Sequence, residues 1–212
     1  MYISRVEINI NNRKRIRDLT HLGAFHNWVE QSFPNEIKNR VRTRKLWRID
    51  RLYGKNYLIV ISSEKPDFNL LEYCGVENSA ETKSYDKVLD NIANGKRMRF
   101  RVVLNPVVAV SSGLNKRGKI KPICNNDEDL KNFLIEKSQK NGFLLNTKEF
   151  AIVSKTCETF RKKNEKKVKL IKVTYEGILT VENTEIFRKT LITGIGKKKA
   201  YGFGLLTVLP IG

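Results

Sequence analysis

The sequence predicts an α+β protein built from two ferredoxin-like (RRM-like) domains in tandem. Hydrophobic periodicity in the N-terminal half gives the element order β-α-β-β-α-β, and after a loop-like stretch the C-terminal half gives α-β-β-α-β. With 40% apolar residues among 212, the chain can also bury two cores. We place the domains at 1–108 and 126–212, joined by a linker at 109–125.

The N-terminal domain begins with an alternating segment and a helix. Tyr2–Ile10 places most of its apolar residues on one parity, which predicts a half-buried strand. After a basic loop, Asp18 is a suitable N-cap for a helix over about 19–33, which Pro34 ends. The apolar residues that recur at helical spacing in this segment are Leu22, Phe25, Val29 and Phe33.

Strands and a short helical piece complete that domain. Runs at 46–53 and 56–62 predict a hairpin. A less regular helical piece follows at 67–74 or 84–93. Lys96–Leu104 then predicts the last strand of the domain. Three arginines of this strand share one face, namely Arg97, Arg99 and Arg101.

The C-terminal domain repeats most of this order. Acidic residues from Asp127 onward begin a helix that runs to about Lys140 and ends at Gly142. A second helix is predicted at 182–192. Strands are predicted at 143–146, 149–160, 168–181 and 205–209, and a further short strand near 107–110 fits the same pattern.

The charge of the chain points to a polyanionic partner. It carries 41 Lys and Arg residues against 22 Asp and Glu residues, a net charge of +19. Such a charge repels itself unless a polyanion binds it, and nucleic acid is the first candidate. The cations are also clustered, since 91–126 contains no acidic residue and 38–55 contains only Asp50. Two further clusters lie at 161–172 and 197–199.

Cysteine usage and hydropathy exclude several classes of protein. The three cysteines are widely spaced, so they predict neither a disulfide framework nor a CxxC metal pair, which fits a reducing cytosol. No apolar run approaches the roughly 18 residues that a membrane span needs. The first residues are strand-like where a signal peptide would have an apolar core. We therefore expect a cytoplasmic protein without a membrane partner.

Thr193–Pro210 is rich in glycine and lysine. Glycine allows backbone amides to turn toward an anion, and the adjacent lysines make phosphate the natural candidate. A plain connection between a helix and a strand, with solvated lysines, is the alternative. The spacing excludes a Walker loop, and Lys199 stands where the dinucleotide fingerprint needs its third glycine. The residues concerned are Gly194, Gly196, Lys197, Lys198, Lys199, Gly202 and Gly204.

A second basic element is the predicted hairpin tip between the strands at 149–160 and 168–181. A tip of this kind fits a duplex groove or a phosphate track. A lysine-rich turn that merely improves solubility is the alternative. Its cations are Arg161, Lys162, Lys163, Lys166 and Lys167.

The two histidines, His21 and His26, both lie on the first predicted helix. At about 100° per residue they point about 140° apart, so they cannot bind one metal ion, and no third ligand is evident. We therefore expect neither a metal nor a cofactor. His21 is expected at the surface. His26 borders the apolar stripe, where it either packs or acts as a catalyst of proton transfer.

Five segments, taken in order, carry a family resemblance. They are Tyr2-Ile-Ser-Arg-Val, Phe25-His-Asn-Trp, Leu46-Trp-Arg-Ile-Asp, Phe100-Arg-Val-Val-Leu-Asn-Pro and Gly194-Ile-Gly-Lys-Lys-Lys-Ala-Tyr-Gly-Phe-Gly-Leu-Leu. The set resembles the CasE family, the CRISPR repeat-RNA endoribonuclease of the type I-E Cascade complex, over nearly the whole chain. The resemblance implies RNA rather than DNA as the ligand, and cleavage rather than binding alone.

The resemblance also implies roles for particular residues. His26 matches the family's catalytic histidine, 194–206 matches its glycine-rich loop, and the hairpin around 161–163 resembles the element that grips the RNA stem. Some relatives have a tyrosine three residues before the histidine, where this chain has Gly23. His26 is therefore expected to work with a lysine, Lys162 or Lys163, or with an aromatic residue elsewhere. The RNA-binding residues predicted are Arg97, Arg99, Arg161, Lys166, Lys167, Gly194, Gly196, Lys197, Lys198, Lys199, Gly202 and Gly204.

The chemistry implied is metal-independent cleavage of repeat stem-loops. The 2′-OH of the RNA is the nucleophile, His26 transfers a proton near neutral pH, and lysines stabilise the phosphoryl charge. The products are a 2′,3′-cyclic phosphate and a 5′-OH. Expected partners are CRISPR repeat RNA and other Cascade subunits. Two alternatives stay open, an RNA-binding subunit without catalysis and a duplex-DNA-binding protein that uses the face of Arg97, Arg99 and Arg101.

Overall fold

Two compact units make up the computed structural model. It describes residues 1–17, 19, 21–110, 119–123, 126–161 and 167–211. Unit 1 comprises Met1–Ile92, Leu191–Gly194 and Lys198–Leu205, and unit 2 comprises Ala93–Thr190, Ile195–Lys197 and Leu206–Gly212. The transition at 92/93 comes before the linker that the composition places at 109–125.

Unit 1 contains one antiparallel sheet with helices between its strands. The strand order is β2-β3-β1-β4, so the first strand lies between the third and the fourth, as the ferredoxin-like β-α-β-β-α-β unit requires. The elements are β1 (Tyr2–Glu7), α1 (Arg13–Ile16), α2 (Leu22–Gln31), α3 (Pro34–Lys38), β2 (Leu46–Leu52), β3 (Lys55–Ser62), α4 (Phe68–Leu71), a 3₁₀ turn (Glu72–Cys74), β4 (Glu81–Ser84), α5 (Asp86–Asp90) and a 3₁₀ turn (Lys199–Tyr201).

Helix α2 is shorter than the sequence predicts. It begins at Leu22 because His21 is its N-cap, with the imidazole Nδ1 accepting a hydrogen bond from the backbone N–H of Ala24 at 3.2 Å. The cap predicted from sequence, Asp18, lies outside the described residues. The helix ends at Gln31, and the chain then turns directly into α3. His21 is exposed, as predicted.

The last strand of the first sheet differs from the prediction. The sequence assigns this place to Lys96–Leu104, whereas the structure places β4 there, paired antiparallel with β1. Polar contacts hold β4, because Ser4 and Thr82 share a hydrogen bond of 2.8 Å and Arg5 pairs with Glu81 at 2.8 Å. A strand with the sequence Glu-Thr-Lys-Ser has no apolar alternation, so periodicity misses it.

Unit 2 has the same topology. The strand order is β10-β5-β9-β8, which again sets the first strand of the unit between its third and fourth strands, and this confirms the predicted tandem ferredoxin-like fold. A two-stranded sheet, β6-β7, is inserted after the first strand. The elements are β5 (Arg97–Leu104), β6 (Val107–Val110), β7 (Lys119–Pro122), α6 (Asp127–Lys140), β8 (Phe143–Arg161), β9 (Lys167–Val181), α7 (Thr184–Thr193) and β10 (Leu206–Pro210).

Strand β5 occupies an inner position in the second sheet. It pairs with β9 on one side and β10 on the other, and its alternate residues Met98, Phe100 and Val102 are buried. Alternation therefore predicted the strand correctly but could not tell which sheet buries it. The two strands predicted at 143–146 and 149–160 form one strand, β8, whose pairing with β9 is irregular between Leu145 and Phe150.

No helix among the described residues is long and apolar enough to cross a membrane.

Gly202 follows the 3₁₀ turn Lys199–Tyr201 and lies against Trp47 of β2. Its φ is +79°, and a methyl group at this position would lie 2.7 Å from Cζ3 of Trp47. Trp47 is 2% exposed and stacks on Phe25 with 5.9 Å between ring centroids. The indole therefore has little room to move away from an added side chain.

We expect Gly202→Ala to destabilise the protein more than Gly54→Ala. Both glycines have φ of +79°, so both substitutions place alanine in the left-handed region at a cost of about 1–2 kcal/mol. Only Gly202 adds a clash, since a methyl group on Gly54 meets nothing within 4 Å. Overpacking should lower the free energy of unfolding of Gly202→Ala by about a further 1–3 kcal/mol. Urea unfolding followed by tryptophan fluorescence measures the difference. Equal destabilisation by the two substitutions would show that the contact with Trp47 imposes no constraint.

Candidate active site

His26 lies on α2 in a polar network of unit 1. Its side chain is 24% exposed, so the ring is partly withdrawn from solvent. The neighbouring residues Trp28 and Val29 are buried, which anchors the helix in the core and fixes the direction in which the imidazole projects.

Both nitrogen atoms of His26 have neighbours. A guanidinium nitrogen of Arg42, Nη2, lies 2.9 Å from Nε2, and the carboxylate of Glu30 lies 3.8 Å from Nδ1. A guanidinium can only donate hydrogen bonds, so Nε2 must be the acceptor. We therefore assign the ring proton to Nδ1, which faces Glu30. In this tautomer Nε2 carries a lone pair, with which the ring can accept a proton as a general base does.

The surroundings lower the pKa of His26 below its ordinary value. Burial is the largest cause, because it disfavours the charged imidazolium, and the charges of Arg42 and Lys45 act in the same direction. The carboxylate of Glu30 opposes them and raises the pKa. The net effect is a histidine that is neutral at neutral pH.

Lys45 connects the carboxylates around the histidine. Its side chain is 1% exposed, and its ammonium lies 2.6 Å from Glu36 and 3.6 Å from Glu30. Thr43 adds a backbone N–H bond of 3.0 Å and a hydroxyl bond to Glu36. Burial alone would raise the pKa of Glu36, but the hydrogen bonds from Lys45 and Thr43 outweigh it and hold the pKa below the ordinary value. Glu36 is therefore a buried anion with its partners in place.

An open cleft of about 450 Å³ contains this network. Cations dominate its wall, and burial together with the charge of Arg44 lowers the pKa of the adjacent Lys199. A cationic cleft beside a neutral imidazole is suited to bind a phosphate and accept a proton next to it. The lining residues are His26, Glu30, Arg42, Thr43, Arg44, Lys45 and Ala200.

The glycine-rich segment reaches this cleft through Ala200. That residue belongs to the 3₁₀ turn Lys199–Tyr201, which packs on α2 and β2. Two of its glycines are required by packing, since a Cβ on Gly194 would lie 2.7 Å from Leu46 and one on Gly202 would meet Trp47. These contacts explain the glycines at both positions. Contact of the segment with RNA stays a prediction.

The structure describes only part of the predicted basic hairpin tip. Lys162, Lys163 and Lys166 lie outside the described residues, and only the backbone of Arg161 and Lys167 is described, paired at the ends of β8 and β9.

The arginines on β5 have neighbours of their own. Arg97 pairs with Glu149, and Arg101 pairs with Glu176. Arg99 of the same strand is exposed. Carboxylates therefore offset part of the positive charge that the sequence places on this face.

Sequence reasoning missed the partners of His26. Glu30 lies one helical turn after the histidine, a spacing that could have indicated it. Arg42, Arg44 and Lys45 were visible only as members of a basic cluster. At Gly23 a Cβ would lie 3.0 Å from Nδ1 of His21, so the capping imidazole occupies the space that a side chain would need there. No group of three or more His, Cys, Asp and Glu able to hold a metal ion occurs in the described part of the chain.

Comparisons with known proteins agree with the fold and the resemblance. The chain is 27% identical over 221 residues to the CRISPR-associated endoribonuclease Cse3 of Thermus thermophilus, covering 99% of this chain and 100% of that protein. It is similar to the structure of CRISPR endoribonuclease Cse3 bound to a 19-nucleotide RNA, with a TM-score of 0.80, 26% identity and coverage of 99% and 100%. It has the fold of Cas6e from Escherichia coli K-12, with a TM-score of 0.68, 22% identity and full coverage of both chains.

A family model described as CRISPR associated protein matches residues 1–210 of the chain. The match extends over nearly the whole sequence, as does the similarity to Cse3, a member of the CasE type. The resemblance predicted from five sequence segments is thereby confirmed. The chain belongs to this family of CRISPR-associated proteins.

Proposed function

We propose that this chain is an endoribonuclease that cleaves CRISPR precursor RNA at repeat stem-loops and remains as a Cascade subunit. The observation that carries the proposal is the position of His26, whose Nε2 accepts a hydrogen bond from Arg42 in a cleft lined by cations. The relative from Thermus thermophilus is a CRISPR-associated endoribonuclease, which supports the same reaction class here.

In the proposed reaction the 2′-OH of the RNA attacks the adjacent phosphorus. Nε2 of His26 accepts the proton of the 2′-OH as the new O–P bond forms, and the bond to the 5′-oxygen breaks. The 5′-oxygen leaves with a proton, which gives a 2′,3′-cyclic phosphate and a 5′-OH. The RNA supplies its own nucleophile, so the protein has only to align it, move protons and stabilise charge.

Arg42 has two tasks in this scheme. In the free protein it donates to Nε2 of His26 and, through Nε, lies 3.3 Å from Glu30. Its side chain is 67% exposed, so it can turn toward a bound phosphate. A phosphate oxygen is a stronger acceptor for a guanidinium than an imidazole nitrogen is. Substrate binding would thus draw Arg42 onto the phosphate and free Nε2 for the 2′-OH.

Glu30 is proposed as a positioning residue. Its carboxylate faces Nδ1 of His26 and stabilises the tautomer that leaves Nε2 unprotonated. Lys45 holds Glu30 in turn at 3.6 Å. The same carboxylate would stabilise the imidazolium that forms when Nε2 takes the proton.

Other cations are proposed to stabilise the developing phosphoryl charge. Arg44 lines the cleft, and Lys199 precedes the lining residue Ala200. The lowered pKa of Lys199 suits it to give a proton to the leaving 5′-oxygen. Lys162 and Lys163 stay candidates for the same roles on the sequence resemblance. Binding of the RNA stem by the hairpin around 161–167 and by the glycine-rich segment belongs to the same proposal.

Two alternatives are weaker. A duplex-DNA-binding protein would read DNA with the β5 arginines, but Arg97 and Arg101 already pair with carboxylates. An RNA-binding subunit without catalysis would need His26 only for packing. The partial exposure of the ring and the acceptor geometry at Nε2 favour catalysis.

We expect His26→Ala to abolish most cleavage while keeping RNA affinity near that of the wild type. One neutral side chain contributes little to an interface with many cations, whereas loss of proton transfer should slow cleavage by roughly 10² to 10⁴. Single-turnover cleavage of a repeat stem-loop and filter binding measure the two effects. His21→Asn is the matched control, because asparagine preserves the N-cap and should cleave normally. Wild-type cleavage by His26→Ala would refute the proposal.

In the free protein, the pKa of His26 measured by NMR titration should lie below the ordinary value of about 6.5. The chain has only two histidines, so His21→Asn identifies the signal. Glu30→Gln should lower the pKa further, because the carboxylate favours the charged ring. Arg42→Gln should raise it, because a nearby cation disfavours that form. A wild-type pKa at or above the ordinary value would contradict the proposed electrostatics.

Substrate with a single 2′-deoxy group at the cleaved nucleotide should bind with normal affinity and remain intact, because the nucleophile is missing. The fully ribose substrate should be cut in excess EDTA. Gel analysis of both reactions, with identification of the 2′,3′-cyclic end, tests the route. Loss of activity in EDTA with recovery on adding a divalent metal would assign a different mechanism.

A further inference from the structure

We propose that unit 1 carries a second nucleic-acid site, which binds a nucleotide of a single-stranded RNA segment on a surface centred on Arg15 and Tyr73. The site shares no lining residue with the His26 cleft. The identification of the strand as RNA rests on the proposed function, since a precursor with a stem-loop also has unpaired segments beside it.

The first observation is a run of cations on and after α1. Arg13, Lys14, Arg15 and Arg17 are all exposed, and within the described ranges none of them forms a salt bridge with a carboxylate. Such unpaired charge attracts a polyanion. The charge run is independent of the basic clusters that surround His26.

The second observation is a stacked platform beside these cations. The guanidinium of Arg15 lies 4.8 Å from the centroid of the Tyr73 ring, and its Nη1 donates to the Tyr73 carbonyl at 3.0 Å. Asn12 also caps the backbone N–H of Arg15 at 3.2 Å. Tyr73 nevertheless remains 54% exposed. Nucleobases stack on aromatic rings and on guanidinium planes alike, so the pair offers a surface for an unpaired base.

Two cavities meet at this platform. One, of about 240 Å³, has an apolar floor that includes Leu19, Trp28 and Leu70. The indole N–H of Trp28 already donates to the carbonyls of Leu70 and Leu71, so this largely buried ring contributes to the apolar lining and has no free donor. Two amide side chains, Asn27 and Gln31, stand one turn apart on α2 at the rim. Amides both donate and accept hydrogen bonds, which suits the edge of a base.

The second cavity, of about 480 Å³, is lined by Asn12, Lys14, Arg15, Arg17 and Tyr73. This second cavity offers cations for the phosphate of a nucleotide, and the first cavity offers an apolar surface for its base. A third cavity bordering Arg15 contains the carboxylates of Glu72 and Glu77, which repel phosphate. The phosphates are therefore assigned to the side of Lys14 and Arg17.

The test uses the full chain and a fluorescent, unstructured RNA of about eight nucleotides. Tyr73→Ala should weaken its binding by about 5- to 100-fold, because stacking is lost, and Tyr73→Phe should restore it. Lys14→Ala with Arg17→Ala should weaken binding and flatten its salt dependence. Tyr53→Ala is the control, since Tyr53 is a fully exposed tyrosine of the same unit and lines none of these cavities.

A repeat stem-loop with and without an unpaired flank separates this inference from the proposed function. The flank should add affinity in the wild type and in Tyr53→Ala but not in Tyr73→Ala, and cleavage of the flankless stem-loop should be equal in all three. Flank binding that depends on Tyr73 in a protein that never cleaves would support the site and refute the proposed function. The site would be overturned if Tyr73→Ala bound the octamer and the flanked stem-loop as tightly as the wild type does. Tighter binding of a DNA octamer of the same sequence than of the RNA octamer would also overturn it.

Discussion

The candidate site depends on one buried cation. Lys45, at the approach to β2, is 1% exposed and lies within 4 Å of carboxylates from α2 and from α3, and its ammonium is 4.8 Å from the ring centroid of Phe33. Removing one member of a buried ion pair leaves the other charge unpaired, which typically costs about 3–5 kcal/mol. The contacts therefore tie two helices to the edge of the sheet, and they set where Glu30, and with it His26, can lie.

The charged residues that position the site also affect the protonation of His26. Burial lowers the pKa of His26, and the charges of Arg42 and Lys45 act in the same direction, so that the ring is neutral in the free protein. A phosphate entering the cleft would satisfy these cations, and its negative charge would then favour the imidazolium. Substrate binding and acceptance of a proton thus support each other in the proposed reaction.

Cationic residues in the sequence differ in their availability. Arg97 and Arg101 pair with carboxylates on other strands of unit 2, and Lys45 is buried against Glu36. The cations of Arg13–Arg17 in unit 1 have no carboxylate partner among the residues described. A charge count treats all of them alike. Free charge attracts nucleic acid, whereas paired charge mainly holds strands and helices together. Whether a lysine or arginine has a carboxylate partner therefore distinguishes a binding surface from a structural contact better than the number of such residues does.

The α+β class, most of the strands and the family could be predicted from the sequence alone, because periodicity, turn residues and ordered motifs are local in the chain. The catalytic role of His26 stays a prediction. The sequence could not identify β4, whose polar residues carry no alternation, or place Arg97–Leu104 in the second sheet, because alternation reports burial and not the partner strand. Nor could it bring Glu30, Arg42 and Lys45 around His26. Those contacts, and the lowered pKa that follows from them, exist only when α2, α3 and β2 pack together, since distance and burial are properties of the fold.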